Sequence, residues 1–433
     1  MALITQAPKG TQDLMPEQTA KWQTLEYILA DECSRYGIKE IRTPVFEHTE
    51  LFLRGVGDTT DVVEKQMYTF EDKGNRSITL RPEGTAGAVR AMLQSGIFNK
   101  GFPQKFNYFT SCYRYEKPQA GRLREFHQFG VEIFGTKEPV ADADLIRFVS
   151  GIFDRLGLKD ISLEINSIGC PVCRAKFNQA LKDYFNANKE ELCETCNSRL
   201  ERNPMRILDC KSPVCAKIAE KAPVILDYLC DDCKEHFETV KEYLDIFDIA
   251  FTVNPSIVRG LDYYTRTVFE FVAEGIGAKS TVCGGGRYDG LVEEMGGKDT
   301  PALGFGMGLE RLLLTLESQG IDLSQEDECE VYIASMGKEA NKKSAKLANT
   351  LRDCGVYAEY DLCTRGLKAQ MKYASKIGAK YSIVIGEEEL QNNTAEMKNM
   401  ETGEKVKISI GEDFIDDFIT ETTKAMDLND LAF

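Results

Sequence analysis

The sequence has little that would suit a membrane or a broad nucleic-acid surface. It contains no run of about 18 apolar residues, the length a helix needs to cross a bilayer, and its start, "MALITQAPKGTQDLMPEQ", has neither a basic segment nor an apolar core of the secretory kind. These absences predict a cytoplasmic location and no membrane partner. Positive charge is also scarce overall, with a net charge of −16, so any contact with nucleic acid has to be local. A phosphate-binding Walker loop is missing too, because the only glycine triplet, in "TVCGGGRYDGL", lacks the following Gly-Lys-Ser/Thr spacing. What remains is a chain of 433 residues, 28% charged and 42% hydrophobic, long enough for two or three domains with cores of their own.

The chain reads as three textures. Up to residue 325 it carries strand pairs joined by turns, such as "QMYTFEDKGNRSITLR", with helices at intervals, which predicts an α+β fold on a mainly antiparallel sheet. Between 170 and 245 it becomes helical, charged and cysteine-rich, as an insertion would. After the polar linker "SQGIDLSQEDE", residues 329–433 alternate strands and helices and predict a small α/β domain. Charge is uneven there: residues 338–380 carry ten Lys or Arg against four acids, while residues 387–430 carry 13 acids against four lysines. The basic stretch is either a solvated helix face or a surface for a phosphate backbone.

Eight of the 14 cysteines fall within 64 residues: Cys170, Cys173, Cys193, Cys196, Cys210, Cys215, Cys230 and Cys233. Three of the four pairs are spaced C-x-x-C, so that two thiolates can reach one tetrahedral metal. One or two structural zinc sites, or reduced unligated thiols, are the alternatives.

Candidate chemistry concentrates in four stretches. In "IVRGLDYYTRTVFEF" the residues from Thr265 alternate as a half-buried strand, placing Arg259, Asp262, Tyr263 and Tyr264 at its beginning. A buried Arg needs a partner, either a structural carboxylate or an anionic ligand. In "FNYFTSCYRYEKPQAGRLREFHQFGVEIFG" the second strand puts Arg124, Phe126, Gln128, Gly130 and Glu132 on one face, a floor for a small polar ligand, and antiparallel pairing is expected to bring Arg114 beside Gln128. "SITLRPEGTAGAVRAML" is a strand running into a helix, with Pro82 preset for its first turn and Glu83 and Thr85 suited to an ammonium group. The glycines of "TVCGGGRYDGL" are expected to let a ligand approach the backbone. Arg311, in the first turn of the helix of "PALGFGMGLERLLLTLE", opposes the helix dipole and calls for an anionic or aromatic partner.

Together these residues resemble the class II aminoacyl-tRNA synthetases, and specifically the histidyl-tRNA synthetase family. "KGTQDLMP" with "YGIKEIRTPVFEHTELF" resembles the dimer-forming first class motif, "YRYEKPQAGRLREFHQFGVEIFG" the second and "GFGMGLERLL" the third; "RGLDYYTRTVFEF" and "GGGRYDGL" resemble the two histidine signatures. Lys117 stands where Arg is frequent, and the cysteine pairs resemble only a subset of bacterial members. The resemblance implies a homodimer that makes histidyl-adenylate from L-histidine and ATP, with Mg2+, and transfers the histidyl group to tRNA(His). It implies that Glu83, Thr85, Gln128, Glu132, Tyr263, Tyr264 and Tyr288 bind histidine, that Arg114, Arg122, Phe126, Arg259 and Arg311 bind ATP, and that Arg259 and Arg114 are catalytic. The region from 1 to 325 would be the catalytic domain and 329–433 the anticodon-binding domain. A silent regulatory subunit of ATP phosphoribosyltransferase shares the fold but usually lacks the C-terminal domain and several of these side chains. A zinc-dependent nucleic-acid-binding module would account for the cysteines and leave "RGLDYYT" without a purpose.

Overall fold

The structure, a computed structural model, describes residues 6–57, 60, 62–210, 212–273, 280–324 and 328–423. The chain divides into two compact units, 1–324 and 325–433. The last ten residues of the expected C-terminal domain and linker positions 325–327 lie outside the described residues.

The first unit contains, in chain order, β1 (Lys39–Glu40), β2 (Phe46–His48), β3 (Tyr68–Glu71), β4 (Ser77–Leu80), β5 (Gln104–Tyr113), β6 (Glu125–Phe134), β7 (Ile161–Ser167), β8 (Thr252–Val253), β9 (Thr265–Ala273), β10 (Ser280–Arg287) and β11 (Ala302–Gly308). Eight of them form one sheet in the order β1-β5-β6-β11-β10-β9-β7-β8. Its interior pairings are antiparallel, and only the two-residue edge strands β1 and β8 pair in parallel. β2, β4 and β3 make a separate small sheet, in which Asp72 closes the β3–β4 turn by accepting from the N–H groups of Gly74 and Arg76.

Alternation gives the large sheet two different faces. Phe129, Val131 and Ile133 of β6, Phe269 and Phe271 of β9, and Phe305 and Met307 of β11 enter one continuous apolar core with Leu145, Phe148, Val149 and Ile152 of the helix Pro139–Arg155. The alternate residues of β6, including Phe126, Gln128 and Glu132, fall on the opposite face. β9 is not half-buried as its alternation implies, because both faces are largely covered: Val268 is as inaccessible as Phe269. Its regular pairing also breaks at the start. Arg266 adopts a left-handed backbone at φ +50°, and the partners jump from Gly286↔Val268 to Arg287↔Thr265. This bulge turns the chain as it enters the sheet.

The cysteine-rich segment leaves after β7 and returns at β8. Its helices Pro171–Asn186, Glu194–Arg202 and Pro213–Ala219 enclose a small core around Phe177, Leu181, Phe185 and Ile207, while its last helix, Asp231–Ile246, packs Phe237, Val240 and Leu244 into the main core.

The second unit contains β12 (Val331–Ser335), β13 (Ala358–Tyr360), β14 (Tyr381–Ile385), β15 (Thr394–Asn399) and β16 (Lys405–Ser409), ordered β13-β12-β14-β15-β16. The first three strands run parallel and the last pairings are antiparallel, giving a mixed sheet. The helices Lys338–Asp353 and Leu367–Lys376 carry most of the basic stretch, and Lys368, Lys372 and Lys376 are exposed.

Candidate active site

The polar face of the large sheet opens into a cavity of about 360 Å3, in the range of small-ligand sites. Glu83, Thr85, Arg114, Arg122, Phe126, Gln128, Arg259, Tyr263, Tyr264 and Arg311 all line it. Residues spread over 229 positions of sequence thus converge on one space, with four guanidinium groups among them.

At one end, Glu83 precedes the helix Thr85–Ser95 and accepts from the N–H groups of Thr85 at 2.6 Å and Ala86 at 2.8 Å. The helix therefore starts three residues later than Pro82 implies, and the Pro82 carbonyl instead accepts from Arg114 Nε at 2.8 Å. The buried carboxylate tethers the helix end while facing the cavity, and burial raises its pKa.

β6 supplies the floor. Its register pairs Thr110, not Arg114, with Gln128. Arg114 lies beyond the strand, where its backbone N–H donates to Arg124, so the expected side-by-side arrangement is replaced by Arg114 stacked 5.2 Å above the Phe126 ring. Gln128 Oε1 accepts from Gly84 N–H at 3.1 Å. Glu132 does not line the cavity: it lies fully buried behind the floor, accepting from Tyr108 at 2.8 Å and from the Tyr288 hydroxyl. Burial pushes its pKa up to about 8, even though both hydroxyls act in the other direction. Tyr288 also sits behind the wall, packed edge-on against Tyr263 and Tyr264 at centroid distances of 5.4 and 6.4 Å.

The glycines serve the protein's own side chains. A Cβ on Gly284 would stand 2.4 Å from a terminal nitrogen of Arg259, one on Gly306 would stand 2.2 Å from the Gln128 amide, and one on Gly304 would stand 2.0 Å from a Glu132 oxygen. Direct approach of a ligand to the backbone is thus not what these glycines permit first. They let three polar side chains lie flat on the sheet.

Arg259 has a structural carboxylate partner, Glu270, which in turn accepts from the Thr281 hydroxyl at 2.8 Å. Its guanidinium also lies 5.5 Å from the Tyr264 ring centre. Burial lowers its pKa, but Tyr264 and Glu270 outweigh that effect and the net shift is upward. The Nε of Arg259 is buried without a hydrogen-bond partner. Arg311, in the first turn of the helix Leu309–Ser318, donates to the carbonyls of Thr281 at 2.8 Å and Gly121 at 3.3 Å. Its pKa is lowered, first by burial and next by Arg122. Glu116 lies 3.9 Å from Arg114 and 3.8 Å from Arg122. This excess of positive charge at one end, with Glu83 and Gln128 at the other, suits an anionic group joined to an ammonium-bearing one.

A sequence profile described as "Histidyl-tRNA synthetase" matches residues 10–312. The chain belongs to the histidyl-tRNA synthetase family. A profile described as "Anticodon binding domain" matches residues 330–418 of the second unit. Among relatives named "Histidine--tRNA ligase", one from Acetivibrio thermocellus is 57% identical over 408 residues, covering 94% of this chain and 98% of that protein. One from Caldanaerobacter subterraneus is 54% identical over 410 residues, covering 95% and 98%. The crystal structure of apo Staphylococcus aureus histidyl-tRNA synthetase aligns with a TM-score of 0.82 at 41% identity, covering 96% of this chain and 99% of that one. Family membership brings the class II α+β fold, with its antiparallel catalytic sheet.

Sequence reasoning missed Tyr108, Glu270 and Thr281. Tyr108 reads as another apolar strand residue, and its signal is the room that Gly130, directly opposite, and Gly84 leave for it, since a Cβ on either would stand 2.2–2.3 Å from the tyrosine ring.

The eight cysteines form two sets, the outer two pairs of the sequence together and the inner two pairs together. Cys170 and Cys173 join Cys230 and Cys233, while Cys193 and Cys196 join Cys210 and Cys215, all sulfurs of a set lying within 4.8 Å of one another. Sulfur separations of 3.6 Å (Cys170–Cys173), 3.9 Å (Cys170–Cys230) and 3.9 Å (Cys193–Cys210) match the roughly 3.8 Å edge of a zinc–thiolate tetrahedron with bonds of about 2.3 Å. The thiols therefore fit a tetrahedral metal at both sites.

Proposed function

We propose that this chain ligates L-histidine to tRNA(His) through histidyl-adenylate, consuming ATP and releasing AMP and pyrophosphate. The observation that carries this reading is the cavity itself, where an ammonium-binding carboxylate and four arginines meet on the polar face of a class II sheet. Relatives named as histidine–tRNA ligases at 54–57% identity favour it over the regulatory-subunit alternative, as does the presence of the anticodon-binding unit. The free nucleic-acid-module reading leaves the cavity without a purpose.

Glu83, Thr85 and Gln128 hold the α-amino group. Tyr263 and Tyr264, which line the cavity, flank the imidazole. Glu132 and Tyr288, buried behind floor and wall, come into play once the ring displaces one of the hydroxyls now bonded to Glu132. A side chain without an N–H would leave that buried carboxyl unpaired and is rejected. Arg114 grips the α-phosphate, and Phe126 and Arg122 lie beside it on the nucleotide side with Arg311. Arg259 spans the histidine carboxylate and the α-phosphate, exchanging its contact with Glu270 for the substrates and stabilising charge as the carboxylate attacks phosphorus in line. Its planar fork can take two oxygens at once. Magnesium accompanies the outer phosphates of ATP, for which Glu310 and Glu116 offer oxygen ligands on the cavity wall.

The two sulfur sets hold structural zinc, four thiolates leaving no position open for chemistry. The catalytic unit is 1–325, with the 170–245 insertion inside it, and 329–433 reads the anticodon. The protein works as a cytoplasmic homodimer. Among the described residues, no helix is long and apolar enough to cross a membrane.

ATP–pyrophosphate exchange measured with each of the twenty amino acids tests the assignment. Exchange with histidine alone is expected; exchange with another amino acid, or with none, refutes it.

A further inference from the structure

The segment 257–264, which carries Arg259, has no strand or helix of its own. It is held from the side of the cysteine-rich insertion. Arg206 donates from one nitrogen to the Gly260 carbonyl and to Asp262 Oδ1, both at 2.8 Å, and Asn203 reaches the same carboxylate oxygen at 3.2 Å. Arg174 donates to the carbonyls of Asp262 at 3.4 Å and Tyr264 at 3.2 Å. The acceptors thus run from the residue that follows Arg259 to Tyr264 itself. Behind the loop lies a second cavity of about 190 Å3, lined in part by Arg174, Asn203, Arg206 and Arg259. Ile257, Leu261, Tyr263 and Tyr264 pack into an apolar cluster with Ile168 and Met205, and the hydrogen bonds from Arg174, Asn203 and Arg206 fix the side of the loop that faces this space.

The anchors of these bonds are the sulfur sets. Arg174 follows Cys173 directly in the helix Pro171–Asn186, and Asn203 and Arg206 lie in the link from Cys196 to Cys210. We infer that Arg206 is a positioning residue for Arg259, and that the insertion is the outer half of the active-site scaffold. This rests on the reading of Arg259 as the cation at the α-phosphate. The Arg259 side chain reaches across Gly284 to the site, and displacing its backbone by about an ångström would move the guanidinium off the phosphate, an error of the size that costs roughly 10²-fold in rate.

The test uses the full-length protein. Competent sites are counted by a histidyl-adenylate burst, and histidine-dependent exchange is then expressed per competent site for wild type, Arg206→Ala, Arg206→Lys and Arg259→Ala. Arg206→Ala is expected to lose about 10- to 100-fold in kcat per site, with Arg206→Lys between it and wild type because an ammonium can still reach the shared acceptors. If Arg206→Ala does not fold, Asp262→Asn, which keeps the volume and removes the charge, is read in the same way. A kcat per competent site within about twofold of wild type, the loss lying only in the number of sites, would overturn the inference. Should Arg259→Ala keep its exchange, the reading of the site itself falls; should it lose exchange while Arg206→Ala does not, only the positioning role falls.

Discussion

At the scale of single residues, polar side chains lie flat on a sheet because glycines make room for them. Gly284→Ala would push its Cβ into the guanidinium of Arg259, so activity should fall by at least about tenfold while the thermal midpoint shifts little, a split that activity and calorimetry measured together would reveal. Glu132 supplies a pH signature. Because burial raises its pKa from 4.5 to about 8, the folded chain keeps a proton that the unfolded chain has released. That contribution is complete below the unfolded value and is lost as pH climbs through about 8. Urea unfolding of ligand-free wild type and Glu132→Gln at three pH values between about 5 and 8.5 should show the wild type losing ground steadily to the variant; a constant difference would contradict the assigned pKa shift. The side chains that meet the cavity were legible from residue type and alternation, as for Gln128 and Glu83. Tyr108 was not, since only three-dimensional register reveals that its hydroxyl ends on Glu132.

At the scale of elements, strand identity was easier to read than pairing. Period-two counting placed Phe126, Gln128 and Glu132 on one face, but the offset that sets Thr110 opposite Gln128 depends on the loop joining β5 and β6, whose closure the residue pattern does not specify. The start of β9 at Thr265 was read correctly, but its alternation gave no sign of the bulge at Arg266 or of the cover over both faces. The cysteines illustrate a third case: spacing suggested metal sites, yet the pairing of Cys170 and Cys173 with Cys230 and Cys233 exists only once the N-terminal ends of the first and last helices of the insertion meet. Two equivalents of zinc per chain are expected by elemental analysis of protein purified without added metal, and one after Cys196→Ser. Less than about half an equivalent in a folded wild type would end the metal assignment.

At the scale of the whole molecule, the proposed function requires a chain of net charge −16 to meet a polyanion, and residues 338–380 are the basic stretch proposed for that contact. Reversing the exposed Lys368, Lys372 and Lys376 together to Glu should raise the KM for tRNA at least about tenfold and flatten its salt dependence, leaving histidine-dependent exchange unchanged. Equal losses in both reactions would place those lysines outside tRNA binding. The division into two compact units was readable from composition, since the strand–helix alternation and charge reversal after residue 329 differ from everything before them. The contribution of the insertion to the active site was not, because the bonds from Arg174, Asn203 and Arg206 to the 257–264 loop join positions more than 50 residues apart. All of these roles converge on one guanidinium acting where a cation is needed. Histidine-dependent ATP–pyrophosphate exchange by Arg259→Ala measures that directly: a loss of at least about 10²-fold is predicted, the scale of removing one preorganised charge donor, and exchange within about threefold of wild type would contradict it.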